Sequence, residues 1–158
     1  PSNRKRAAVA AAGPVMTFMS DEVLFLDTNV LVYLFDNDEP RKQSIAQELL
    51  RESAEPRLST QVLAEFYVTV TRKLARPLAP ERALQAVDEF RVFPVAAPTP
   101  EQVQQAIRRS IDARVSFWDG LIIETALAEG AHRLMTEDLQ DGWRIEGMQV
   151  TNPFAIVR

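Results

Sequence analysis

Short, unbroken apolar runs alternate along the chain with longer segments whose apolar residues recur at helical spacing. "VLFLD", Val23–Asp27, is apolar up to its last position and predicts a short buried strand that ends on a carboxylate. Val30–Asp36 follows almost at once and predicts a helix, and "RKQSIAQELLRES" after Pro40 predicts a clearer one. "RLS", 57–59, predicts a brief strand, with Ser59 then standing as N-cap of "TQVLAEFYVTVTRKL". Pro80 opens a helix over "ERALQAVDEF", and "RVFPV" predicts a strand interrupted at Pro94. Thr99, Pro100 and Gln102 form a capping box at the head of "TPEQVQQAIRRSI". "SFWDGLIIETALAEG" runs from a Ser116 cap to a Gly130 stop, and "HRLMT" and "MQVTNPF" predict closing strands.

Strands alternating with helices predict an α/β fold: a central, mostly parallel twisted sheet flanked by helices on both faces. No internal repeat or linker divides residues 21–158, so they are expected to form one domain. Residues 1–20 stand apart. Their basic cluster and Ala-rich stretch imitate a signal peptide, but Gly13–Pro14 breaks the apolar run and the first strand follows without a spacer. An arm or upstream extension is expected there, with Met16 and Met19 as candidate natural starts. In sheets of this kind ligands bind beyond the carboxyl ends of the strands. Asp27 stands at one such end, and Asp138, just after "HRLMT", at another.

An ionised carboxylate at a buried strand end is costly unless something pairs with it. Composition limits what that partner can be. The chain has no cysteine, which removes disulfide scaffolds, zinc–thiolate sites and cysteine nucleophiles, and fits a reducing cytoplasm. It has one histidine, His132, which removes two-histidine acid–base catalysis. No run reaches the ~18 apolar residues that cross a membrane. The formal net charge is −4; the arm carries Arg4, Lys5 and Arg6 and no acid, so residues 21–158 hold −7. That sign argues against a simple nucleic-acid coat, which rests on a basic footprint.

Four acids stand in apolar or strand-end settings: Asp27, Glu65, Asp119 and Asp138. Each also has a plain structural reading. Asp27 suits a helix cap. Glu65 falls off the stripe of Val62, Leu63, Phe66 and Val70, as a solvated helix acid would. Asp119 completes Ser-Phe-Trp-Asp, itself a capping box, yet shares a face with Ile122, Ile123 and Ala126. Asp138 and Asp141 both suit a turn. Taken together, acids gathered at one sheet edge with no nearby cation in sequence point to an all-oxygen site for a divalent ion, Mg²⁺ or Mn²⁺ in preference to zinc. A metal held by acids points in turn to phosphate as the other ligand.

The stretches "LFLDTNVLVYLFD", "STQVLAEFYVTVTRK", "SFWDGLIIETALAEG", "LMTEDLQDG" and "VTNPF" resemble, in order and spacing, the PIN-domain ribonucleases, most closely the VapC-type toxins of bacterial toxin–antitoxin pairs. The resemblance spans about residues 22–158. It implies that Asp27, Glu65, Asp119 and Asp138 are metal-binding catalytic acids, supported by Thr28, Asn29, Ser59 and Thr136. It also implies metal-assisted hydrolysis of RNA phosphodiesters, a VapB-like antitoxin whose C-terminal segment covers the site, and a homodimer in the cytoplasm. Two other readings remain open at this point. One is a phosphatase-like phosphoryl-transfer enzyme with Asp27 as nucleophile, although such enzymes want a second acid two residues on, where this chain has Asn29. The other is a non-catalytic α/β interaction module that retains the acids.

Overall fold

Leu24, Phe25 and Leu26 are all but inaccessible to solvent, and their side chains point alternately to opposite sides of the strand. Both faces of this first strand are therefore covered, as in a sheet flanked by helices. The computed structural model describes residues 21–53 and 55–155; the arm at 1–20 lies outside them. The elements run β1 (Leu24–Leu26), α1 (Thr28–Tyr33), α2 (Pro40–Glu52), β2 (Leu58–Ser59), α3 (Thr60–Arg72), α4 (Pro80–Phe90), β3 (Val95–Ala96), α5 (Pro100–Asp112), α6 (Phe117–Ala128), β4 (Arg133–Met135), β5 (Arg144–Ile145) and β6 (Met148–Thr151).

The sheet is mostly parallel, as expected. β4 lies between β1 and β6 and is parallel to both; β5 closes the edge antiparallel to β6. β2 and β3 form a parallel pair that joins β1 through Arg57: Leu26 N–H donates to the Arg57 carbonyl (3.0 Å) and Arg57 N–H to the Leu24 carbonyl (2.8 Å). Among the described residues no helix is long and apolar enough to cross a membrane.

Several boundaries differ from the sequence reading. α1 begins at Thr28 and not at Val30, because Asp27 caps it directly, accepting from Thr28 N–H at 2.7 Å. "RVFPV" keeps only its final valine in a strand: Arg91, Val92 and Phe93 turn back onto the end of α4 through their N–H groups. "MQVTNPF" stops pairing at Thr151, where Asn152 Oδ1 accepts from Phe154 N–H (2.9 Å) and Pro153 has no donor to offer. β5 was not foreseen. It pairs through a two-residue turn whose Glu146 and Gly147 both have positive φ, the backbone that a type I′ hairpin turn requires.

Two packing features set the position of the cleft described below. Phe35, Phe66 and Phe90 meet edge to face with centroids 5.2–6.3 Å apart, fixing α3 and α4 beneath the segment that follows α1. α5 and α6 cross closely at Gly120, where an added Cβ would lie 2.8 Å from the Ala106 carbonyl oxygen. Arg109 of α5 spans to Glu124 of α6 at 2.5 Å, so the helix that carries Asp119 is held along its length.

Candidate active site

β1 and β4 run parallel and end side by side. Asp27 N–H continues their ladder to the Met135 carbonyl (3.0 Å), which sets Asp27 beside Thr136. Asp27 is 5% exposed. Its Oδ1 accepts from Thr28 N–H and its Oδ2 from the Thr136 hydroxyl at 2.8 Å. Burial pushes its carboxyl up from 3.8 to about 7; the bonds from Thr136 and Thr28 oppose the rise, and the charges of Asp138 and Glu65 add to it. Having donated to Asp27, the fully buried Thr136 oxygen accepts from Asn29 Nδ2 (3.1 Å) and Asp138 N–H (3.1 Å). Asn29 Nδ2 also reaches Asp138 Oδ2 at 3.1 Å, while Asn29 Oδ1 is buried with no hydrogen-bond partner.

Glu65 arrives from α3. It does not stand free in solvent: Oε2 accepts from the Thr28 hydroxyl and Oε1 from Gln61 Nε2, each at 2.9 Å. Asp119 arrives in the first turn of α6, where its N–H donates to the Ser116 hydroxyl (3.0 Å). Burial is the main cause of its raised pKa; the Ser116 hydroxyl offsets part, and Asp138 and Glu65 add to it. The same two charges act on Asp27 and on Asp119, so the four acids share one electrostatic neighbourhood. They line a single cleft of about 1080 Å³, together with Thr28, Asn29, Gln61 and an apolar wall. Among the described residues none of the four is in an ion pair with Lys or Arg.

Other residues singled out in the sequence lie elsewhere. Ser59 is fully buried, caps α3 by accepting from Val62 N–H (3.2 Å), and is not part of the cleft lining. Asp141 accepts from Asn152 N–H at 2.8 Å and serves its turn. Three residues that the sequence did not single out fasten the loop bearing Asp138. The Glu137 carboxylate accepts from the Tyr33 hydroxyl and from Lys42 Nζ (2.9 Å); Lys42 also donates to the Tyr33 oxygen (3.0 Å) and lies 4.7 Å from the Tyr33 ring centroid. Tyr33 and Glu137 hold the Lys42 ammonium well above the usual lysine range.

The donors facing the cleft are carboxylates, hydroxyls and amide oxygens, the chemistry that suits a hard divalent cation. Among the described residues no three acids are arranged around one point; the oxygens of Asp27, Glu65 and Asp138 are turned to Thr28, Thr136, Gln61 and Asn29.

Residues 24–140 match the PIN-domain family model. No curated protein sequence matches the chain. Several solved structures share the fold. A toxin–antitoxin complex from Klebsiella pneumoniae is 19% identical and superposes with a TM-score of 0.64, over 84% of this chain and 99% of the other. A DNA-bound VapBC from Salmonella typhimurium is 22% identical, with a TM-score of 0.61 over 84% and 98%. VapC20 of Mycobacterium tuberculosis, a toxin that cleaves the sarcin–ricin loop, is 21% identical, with a TM-score of 0.57 over 70% and 86%. The family model covers most of the chain, from the first strand through the loop that carries Asp138, and the chain belongs to the PIN-domain family.

Proposed function

We propose that this chain is a Mg²⁺- or Mn²⁺-dependent endoribonuclease and the toxin of a toxin–antitoxin pair. One observation carries the reading. Asp27, Glu65, Asp119 and Asp138 come from four separate parts of the fold and meet in one cleft beyond the carboxyl ends of β1 and β4, with no basic side chain among the described residues paired to them. Such a concentration of like charge serves no structural purpose that neutral residues would not serve better.

Asp27, Asp119 and Asp138 would hold the cation directly, and Glu65 directly or through water. When bound, the ion supplies Lewis-acid chemistry: it lowers the pKa of water and offsets charge on the phosphodiester oxygens. The chain's own part is positioning. The Thr136 oxygen holds the Asp27 carboxylate, the Asn29 amide and the Asp138 N–H together, and Thr28 ties Asp27 to Glu65, so Asp27, Glu65 and the Asp138 loop belong to one hydrogen-bonded network. Asn29 Oδ1 is a buried acceptor that a water held near the site would satisfy.

The Klebsiella and Salmonella relatives were solved as toxin–antitoxin complexes, which supports an antitoxin partner for this chain. The −7 charge of residues 21–158 favours a partner segment that lays a basic side chain across the cleft. A homodimer in the cytoplasm completes the proposal. The phosphatase alternative finds no support at position 29, where the Asn29 amide is engaged with Thr136 and Asp138.

Incubating the purified protein with single-stranded RNA tests the reading. Cleavage should require Mg²⁺ or Mn²⁺, stop in EDTA, and fall by orders of magnitude in Asp27→Asn. Full-rate cleavage in EDTA would sink the metal-dependent mechanism.

A further inference from the structure

The cleft lining mixes the acids with apolar side chains, among them Val32, Val68, Leu74, Pro98, Trp118 and Ile122. Trp118 is the anomaly among them. It is 60% exposed, although an indole is among the largest apolar surfaces a chain can bury. It stands one residue before Asp119 in the first turn of α6. The ring meets Phe117 edge to face with centroids 5.0 Å apart. Its carbonyl accepts from Gln61 Nε2 (3.1 Å), the same amide nitrogen that donates to Glu65. One glutamine thus ties the backbone of Trp118 to one of the acids. The cleft lining includes six acids, Asp27, Asp36, Glu65, Asp119, Glu137 and Asp138, and a single cation, Lys73. Attraction for phosphates is therefore weak, and an RNA needs an uncharged hold.

We propose that Trp118 is a stacking platform for an unpaired base next to the scissile phosphodiester. The inference rests on the ribonuclease reading above. Stacking suits the setting: every base has a π face, the interaction carries no charge, and a base inside a duplex is already stacked on both sides. The ring does not touch the reacting atoms. It sets specificity and binding, so its loss acts on KM and leaves kcat nearly unchanged.

Two measurements test the proposal. In steady-state cleavage of a single-stranded oligoribonucleotide, Trp118→Ala and Trp118→Leu should raise KM about tenfold, and Trp118→Phe should stay near wild type. Leu keeps the apolar bulk and removes the π face, so equal KM for Leu and wild type overturns stacking. Unchanged KM in all three variants overturns any role for the residue. The second measurement needs no catalysis. The chain has two tryptophans, so in Asp27→Asn, Trp143→Phe protein the indole fluorescence comes from Trp118 alone. Single-stranded RNA should quench it, and a duplex of the same sequence should not. Equal quenching by both, or by neither, overturns the inference. If the wild type cleaves no RNA at all, the nuclease reading fails while the quenching result still decides the role of Trp118.

Discussion

Asp27→Asn in the metal-free protein should reverse the sign of its effect on stability between acid and alkaline pH. The Asp27 carboxyl is buried, and its pKa rises from 3.8 to about 7 on folding. The folded state therefore keeps a proton that the unfolded chain has lost between those two values. Stability falls as pH rises through that window, because there the unfolded state binds fewer protons. At 1.36 kcal/mol per pKa unit the full loss is about 4 kcal/mol, complete by about pH 8. Asparagine carries no such loss, but it cannot accept with both side-chain atoms. Of the bonds from Thr28 N–H and Thr136 one must go, at about 1 kcal/mol. The variant should be about 3 kcal/mol more stable than wild type at pH 8, equal to it near pH 4.5, and less stable by about 1 kcal/mol at about pH 3. Urea melts in EDTA at about pH 3, 4.5 and 8 read all three differences. Parallel stability–pH curves for the two proteins would refute the reasoning, since they would mean that Asp27 is ionised at no cost in the fold.

Three further outcomes follow from the same contacts. Mg²⁺ or Mn²⁺ at millimolar concentration should raise the melting temperature of the wild type and leave that of Asp27→Asn nearly unmoved; equal shifts would place cation binding elsewhere. Thr136→Val keeps the shape of a fully buried side chain but strands Asp27 Oδ2 and Asp138 N–H and leaves Asn29 Nδ2 only its bond to Asp138, and should cost about 2–4 kcal/mol in urea melts as well as most of the activity. Gly120→Ala drives a methyl against the Ala106 carbonyl oxygen and should cost about 1–3 kcal/mol, with cleavage reduced through the displacement of Asp119 next to it.

What the sequence made legible was periodic and local. The alternation of short apolar runs with 3.6-spaced segments gave the α/β fold, and the caps at Ser59, Thr99 and Ser116 all form where the sequence placed them. The site depends on contacts that no periodicity records. Glu65 falls off the apolar stripe and reads as a solvated acid, and its partner, Thr28, comes from a different helix 37 positions earlier. Glu137 and Lys42 meet across 95 positions, and neither carries a local sign of the other. Asp27 and Asp138 could be read as neighbours because each follows a strand, and the two strands are adjacent and parallel, so the ladder brings their ends together.

Asp27 shows why the structural and functional readings of one residue need not compete. As a helix cap it should accept a backbone N–H, and it does so from Thr28. As an acid of the cleft it should have acceptor capacity to spare. A carboxylate offers about four lone-pair sites, and Thr28 and Thr136 engage two of them. The cap fixes the direction of the side chain, and the Thr136 hydroxyl fixes the second oxygen. The remaining acceptor capacity belongs to a group that burial keeps half-neutral near pH 7, with the charges of Asp138 and Glu65 adding to the effect. A cation in the cleft would favour the charged form, and the burial that raises the pKa would strengthen the attraction between carboxylate and ion. Burial, which looked like a liability when the strand end was read in isolation, is what makes Asp27 the acid with most to gain from a bound ion.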